Sequence, residues 1–230
     1  MRELVFDTET TGLDPRAGHR LVEIGCVEMV NGMPSGETFH TYLNPQRDMP
    51  DEAFQVHGLS SDFLSDKPLF ETVAEAFVTF VSDARLVIHN AQFDMGFINA
   101  ELDRLGMPPL KNEVVDTVTL ARRKFPGQRV SLDALCERMG VDNSRRTKHG
   151  ALLDAELLAD VYIELTGGRQ RGLDLVGAGT EVRVDVLVAA THQERRPPRP
   201  HAPSAAELAA HAAFLAKLKN PIWLLEAAAA

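Results

Sequence analysis

The chain has 230 residues, 44% of them hydrophobic and 25% charged, with a net charge of −9; this is the length of one ordinary domain plus an appendage and the composition of a soluble globular protein. Only Cys26 and Cys136 are present, without paired spacing, so neither a disulfide framework nor a zinc site is indicated. No apolar run approaches membrane-spanning length, and a strand that includes the second residue leaves no room for a signal peptide, so a cytoplasmic location without membrane association is expected.

The charge is unevenly placed. From Gly167 onward eight Lys and Arg stand against six Asp and Glu, a surplus of +2 that leaves −11 on residues 1–166. An acidic domain has no basic face with which to hold a polyanion. If its substrate is nucleic acid, bound cations must bridge the two.

Glu3 to Thr8 reads as a first strand, with Leu4-Val5-Phe6 leading into Asp7-Thr8-Glu9 and a Thr10-Thr11-Gly12 break. Strand side chains alternate faces, so Asp7 and Glu9 point the same way. Like charges held side by side repel, and burying them unpaired is expensive. Hard oxygen donors suit a divalent ion such as Mg²⁺ or Mn²⁺, although an isolated pair of this kind more often marks two solvated acids at a strand end. Leu21–Val30 reads as a second strand, Asn31-Gly32 as a hairpin turn and Thr38–Leu43 as a third strand.

After Pro68, Phe70, Val73, Ala74, Phe77 and Val81 recur at helical spacing. Leu86-Val87-Ile88 is short and wholly apolar, as expected of a strand covered on both faces. A helix carrying Phe97, Ile98, Leu102 and Leu105 follows, closed by Gly106 and Pro108-Pro109. Val114–Asp116 reads as another short strand, and Ser131–Met139 and Ala151–Leu165 as helices. Three early strands followed by alternating helices and strands describe an α/β fold with a mixed sheet and helices packed on it.

Two further acids accompany the first pair. Asp94 falls near the opening of a helix, in Val87-Ile88-His89-Asn90-Ala91-Gln92-Phe93-Asp94, and Asp154 in His149-Gly150-Ala151-Leu152-Leu153-Asp154. Singly, each reads as an ordinary first-turn acid that complements the helix dipole. Jointly, a strand-borne D-x-E, a third Asp after a buried strand and a His five residues before a fourth Asp resemble the DEDDh 3′–5′ exonucleases of the ribonuclease-H-like superfamily. The resemblance covers about residues 3–166 and is specifically to the family of bacterial DNA polymerase III epsilon subunits, the proofreading exonucleases.

That resemblance implies a ribonuclease-H-like mixed five-stranded sheet flanked by helices. It makes Asp7, Glu9, Asp94 and Asp154 the ligands of two divalent metal ions, Mg²⁺ or Mn²⁺, and His149 the general base. The sister class with Tyr four residues before the last Asp is not matched, because Gly150 stands there. Two metals about 4 Å apart flank an in-line displacement in such enzymes, and their +4 offsets the −4 of the four carboxylates. The resemblance also places Thr8, Thr10, Val56, His57 and Phe93 near the terminal nucleotide, where apolar and aromatic groups would receive an unpaired base. For Val56 and Phe93, plain core packing is an equal reading.

Composition shifts at Gly167-Gly168. Residues 167–203, rich in Gly, Arg and Pro, read as a flexible linker after an exonuclease domain of residues 1–166, and residues 204–226 as a tethering segment. Gln170, Leu173 and Leu175 fit a Q-x-x-L-x-L pattern similar to peptides that dock on the bacterial sliding clamp. Ser204–Lys219 has helical character, with Leu208, Phe214, Leu215 and Leu218 largely on one side and Trp223 beyond. It resembles the segment by which epsilon subunits tether to the catalytic alpha subunit, and an apolar helix after a linker calls for a partner on physical grounds too.

The expected function is therefore metal-dependent removal of mispaired nucleotides from DNA 3′ ends, with the alpha subunit, the sliding clamp and a small third core subunit as partners. A stand-alone DEDDh nuclease trimming RNA or short oligonucleotides is the alternative, and a replisome scaffold with secondary catalysis is a third reading that the intact carboxylate set opposes.

Overall fold

The computed structural model describes residues 1–168 and 202–219, and the chain divides into two units, Met1–Ala178 and Gly179–Ala230. The first unit is organised on one sheet of order β3-β2-β1-β4-β5. Its strands are β1 (Arg2–Thr10), β2 (Leu21–Val30), β3 (Met33–Tyr42), β4 (Arg85–Ile88) and β5 (Val114–Asp116). β2 runs antiparallel to its neighbours β1 and β3, whereas β4 and β5 continue the sheet parallel to β1. The mixed five-stranded sheet flanked by helices is thus present.

The helices are α1 (Asp51–His57), α2 (Ser61–Leu64), α3 (Phe70–Val81), α4 (Ala91–Arg104), α5 (Thr117–Lys124), α6 (Leu132–Met139) and α7 (Ala151–Leu165). α1, α2 and α5 are not legible in the apolar periodicity. α1 and α2 each bury only one residue, His57 and Leu64, and α5 buries only Thr117 and Ala121, so none writes a stripe into the sequence. The third strand begins five residues earlier than its apolar pattern suggests. A two-residue turn at Asn31-Gly32, both at positive φ, pairs Val30 with Met33, and most of β3 is exposed.

β1 divides the core by parity. Leu4 and Phe6 pack with α3 and α4, and Val5 packs with α5, α6 and α7. Asp7 and Glu9 continue the odd series, toward α7. Gly25, opposite Asp7 in the β1–β2 register, is what admits α7 there: a Cβ on Gly25 would fall inside the Ala151–Leu152 peptide at the start of that helix. β4 is buried from Leu86 to Ile88, as expected of a strand covered on both sides.

In the second unit Ala205–Leu215 forms α8, opened by a capping box between Ser204 and Glu207. The helix stops four residues short of the expected Lys219, so Leu218 lies past its end. Leu208, Phe214 and Leu218 are exposed and Leu215 is partly so. Gln170, Leu173, Leu175 and Trp223, with residues 169–201 and 220–226 of the expected linker and tether, lie outside the described residues.

Gly25→Ala should push α7 off the sheet, lowering the unfolding free energy by about 1–3 kcal/mol, the usual cost of overpacking. Urea denaturation followed by circular dichroism measures this, and an unchanged midpoint would show that α7 adjusts without loss.

Candidate active site

The motif residues meet at the carboxyl ends of β1 and β4. These strands are parallel neighbours paired through Phe6 and Ile88, so Asp7 emerges beside the turn that follows β4. Asn90 makes that turn in the left-handed region, at φ 68°, which Asn tolerates better than most residues. Its N–H donates to Asp116 Oδ1 at 3.2 Å. The turn starts α4 at once and puts Asp94 in its first turn. Thr8, on the opposite face of β1 from Asp7, donates its hydroxyl to Asp94 Oδ1 at 2.7 Å. Asp154 comes from the first turn of α7, above Gly25. Three segments distant in sequence thus deliver four acids to one place.

Carboxylate oxygens of Glu9 and Asp154 and a ring nitrogen of His149 all lie within 4.8 Å of one another. His149 Nδ1 is 3.1 Å from Asp154 Oδ2, and the His149 N–H donates to the Val56 carbonyl at 3.3 Å, so α1 steadies the loop that carries the imidazole. Glu23, opposite Glu9 across the β1–β2 ladder, adds a further buried acid, held by His40 Nε2 at 2.7 Å.

A cavity of about 480 Å³ opens beside these groups, lined by Glu9, Thr10, Leu13, Val56, His57 and Phe93 among others. Four of the five residues expected near the nucleotide therefore share one wall. Thr8 is the exception: it does not line the cavity, because its hydroxyl is committed to Asp94. Val56 is 47% exposed rather than core. Phe93 both packs on the core and faces the cavity, against Phe97 with ring centroids 5.0 Å apart. His57 is buried, and its Nδ1 accepts the Leu59 N–H at 3.0 Å. Leu13, 84% exposed, was not singled out by its sequence.

Arg146 was also missed. Its Nε and Nη2 each donate to one oxygen of Asp154 at 2.6 Å, Nη1 reaches Asp133 Oδ1 at 2.6 Å, and Nη2 lies 2.7 Å from His149 Nδ1. The available signal was a basic run, Arg145-Arg146 and Lys148, immediately before His149 in an acidic domain.

The electrostatics follow from this crowding. Burial first, then the neighbouring Asp94, Glu9 and Asp154, hold the Asp7 carboxyl well above the usual carboxylate range. Burial and the nearby acids push Glu9 up to about 8. Burial lifts Asp94 to about 7 against the Thr8 hydrogen bond, which lowers it. Asp154 goes the other way. Burial raises it, but hydrogen bonds from His149 and Arg146 prevail and leave it below its ordinary value. Clustered hard oxygen donors, three of them with carboxyls raised above their ordinary range, fit a divalent cation site.

The Exonuclease (RNase T) family matches residues 4–162. Solved structures of similar fold include exonuclease X in complex with 5′-overhanging duplex DNA, at 26% identity and TM-score 0.56 over 71% of this chain and 90% of that one. Another is the nuclease domain of 3′hExo, a DEDDh family member bound to rAMP, at 19% identity and TM-score 0.62 over 74% and 94%. Fold and family match together define an exonuclease. Among curated relatives, the DNA polymerase III subunit epsilon of Rickettsia felis is 55% identical over 185 residues, 79% of this chain and 81% of that protein. The protein of that name from Rickettsia prowazekii is 48% identical over 222 residues, 95% and 97% of the two chains. The chain belongs to the DNA polymerase III subunit epsilon family and is a 3′–5′ exonuclease of the proofreading kind. Metal binding is typical of that family. Among the described residues no helix is long and apolar enough to cross a membrane.

The raised acids set a pH dependence. Because the folded protein keeps a proton on Glu9 up to about pH 8 that the unfolded chain has already released, stability declines as pH rises through that value. In chelator, raising the pH from 7 to 8.5 should cost about 1–2 kcal/mol, about 2–8 °C in melting temperature. Excess Mn²⁺ should remove most of this slope. A chelated melting temperature that stays flat or climbs across the interval would show that the acids are ionised throughout.

Proposed function

We propose that this chain removes mispaired nucleotides from DNA 3′ ends as the proofreading subunit of a replicative polymerase, and that Asp7, Glu9, Asp94 and Asp154 hold two divalent ions, Mg²⁺ or Mn²⁺. The observation that carries this is the convergence of the four acids and His149 beside the cavity walled by Thr10, Val56, His57 and Phe93. When bound, divalent ions offset the charge of the acids and stabilise both the attacking and the leaving oxygen of an in-line displacement. His149, 47% exposed on its side chain and steadied by Val56, accepts the proton of the attacking water. Thr8 keeps Asp94 oriented. The mostly apolar cavity receives an unpaired terminal base by stacking and burial, so a frayed mismatch enters more readily than a paired end.

The tail supplies context. We assign residues 1–166 to the exonuclease domain, 167–203 to a linker with a clamp-docking motif at Gln170, Leu173 and Leu175, and 204–226 to a tether for the catalytic alpha subunit through Leu208, Phe214, Leu215, Leu218 and Trp223. A small third core subunit and a cytoplasmic location complete the reading, which the name shared by the relatives supports. Tethering raises the effective concentration of a weak motif near its target.

Asp7→Ala should abolish release of 5′-mononucleotides from 3′-labelled DNA while melting in chelator at or above the wild-type temperature, because it removes one of the repelling acids. His149→Ala should lower turnover by roughly 10²–10⁴-fold with Mn²⁺ binding largely kept. Matched and mismatched DNA primers, with RNA alongside, supply the substrates. Wild-type turnover in Asp7→Ala, or full activity in excess chelator, would overturn the metal reading.

Removal of residues 167–230 should leave cleavage of short single strands nearly unchanged and abolish co-purification with the polymerase catalytic subunit. Changing Gln170, Leu173 and Leu175 to Ala should weaken clamp binding alone. A full-length chain that pulls down neither partner would mark a free-standing nuclease.

A further inference from the structure

Arg146 is placed oddly for a surface-loop arginine. Its side chain is only 8% exposed, and its guanidinium sits inside the acid cluster with hydrogen bonds from all three nitrogens. Two of them cover both oxygens of Asp154 at 2.6 Å. One of those oxygens is 3.1 Å from His149 Nδ1, and Nη2 is itself 2.7 Å from that ring nitrogen. The guanidinium charge therefore stands on the donor atoms of Asp154 and His149, which with Glu9 form the cation-sized group.

The third nitrogen points elsewhere. Nη1 holds Asp133, a residue of α6 whose side chain is 61% exposed. Arg146 thus spans two carboxylates, one in the acid cluster and one at the surface, from the irregular segment between α6 and α7. If it leaves Asp154 it still has a paired, solvated position on Asp133, so release strands no buried charge.

We propose that Arg146 is a displaceable internal cation: in the metal-free protein it neutralises Asp154 and holds His149 Nδ1, and on metal uptake it yields Asp154 and stays on Asp133. It is a positioning residue that couples cation occupancy to release of the base. The inference rests on Asp154 being a metal ligand. It separates two effects of the same side chain. A fixed positive charge near the site weakens cation binding through space, whereas a planar fork competes for particular oxygens, which Lys as a point charge cannot do equally well.

The test uses full-length protein and Mn²⁺ titration by calorimetry. Arg146→Gln should bind Mn²⁺ at least about 10-fold tighter than wild type and melt lower in chelator. Arg146→Lys is decisive because it keeps the charge and loses the fork; it should bind at least about 3-fold tighter. Arg146→Lys with wild-type or weaker affinity would overturn the proposal, leaving Arg146 a static support or a distant charge. A second measurement needs no altered fold: the Nε–H resonance of Arg146, assigned by its loss in Arg146→Lys, should be protected from exchange in chelator and lose protection on Mg²⁺ addition. Protection unchanged by Mg²⁺ would also overturn it. Failure of the underlying metal reading looks different, since wild type and Asp154→Asn would then both bind no Mn²⁺.

Discussion

Asp7, Glu9, Asp94 and Asp154 arrive from β1, α4 and α7 at the carboxyl end of the central strands, where burial removes much of the water that would normally screen them. A pair of like charges 4 Å apart is worth about 4 kcal/mol of repulsion at an intermediate dielectric, a large fraction of the stability of a domain of this size. Burial and the neighbouring acids raise the carboxyls of Asp7 and Glu9, burial raises that of Asp94, and hydrogen bonds from His149 and Arg146 hold Asp154 below its ordinary value. Clustered hard oxygen donors of this kind suit a divalent cation.

Holding mutually repelling groups together demands a rigid frame. Asp7 and Glu9 are anchored in a strand hydrogen-bonded on both sides, with Val5 and Phe6 buried beneath them. The bare backbone at Gly25 lets α7 settle on the sheet close enough for Asp154 to join them, and the left-handed Asn90 turns the chain from β4 straight into the helix that carries Asp94. Beyond this site the bidentate pair between Arg20 and buried Glu101, at 2.6 and 2.8 Å, ties the β1–β2 connection to α4. The cavity wall is built differently, from the short helix α1 and the loop after β1.

Much of this was readable beforehand because it is local. The alternation of β1 put Asp7 and Glu9 on one face, the unbroken apolar run Leu86–Ile88 announced a strand buried on both sides, and the stripes of α3 and α7 followed the helical repeat. The spacing of His149 and Asp154 about a helix start, combined with Asp94 after β4, carried the family resemblance and with it the site. The short helices α1, α2 and α5 left no such trace, since they bury only one or two residues each.

What the chain by itself determined was therefore which acids belong together, because strand and helix periods assign each side chain a face before any packing occurs. Only the tertiary structure decided how their charge is managed. Glu23 faces Glu9 through strand register, Thr8 turns to Asp94 rather than to the cavity, and Arg146 crosses from a loop to Asp154. Each of these depends on distances between segments remote in sequence, and electrostatic energy depends on distance and burial rather than on position along the chain.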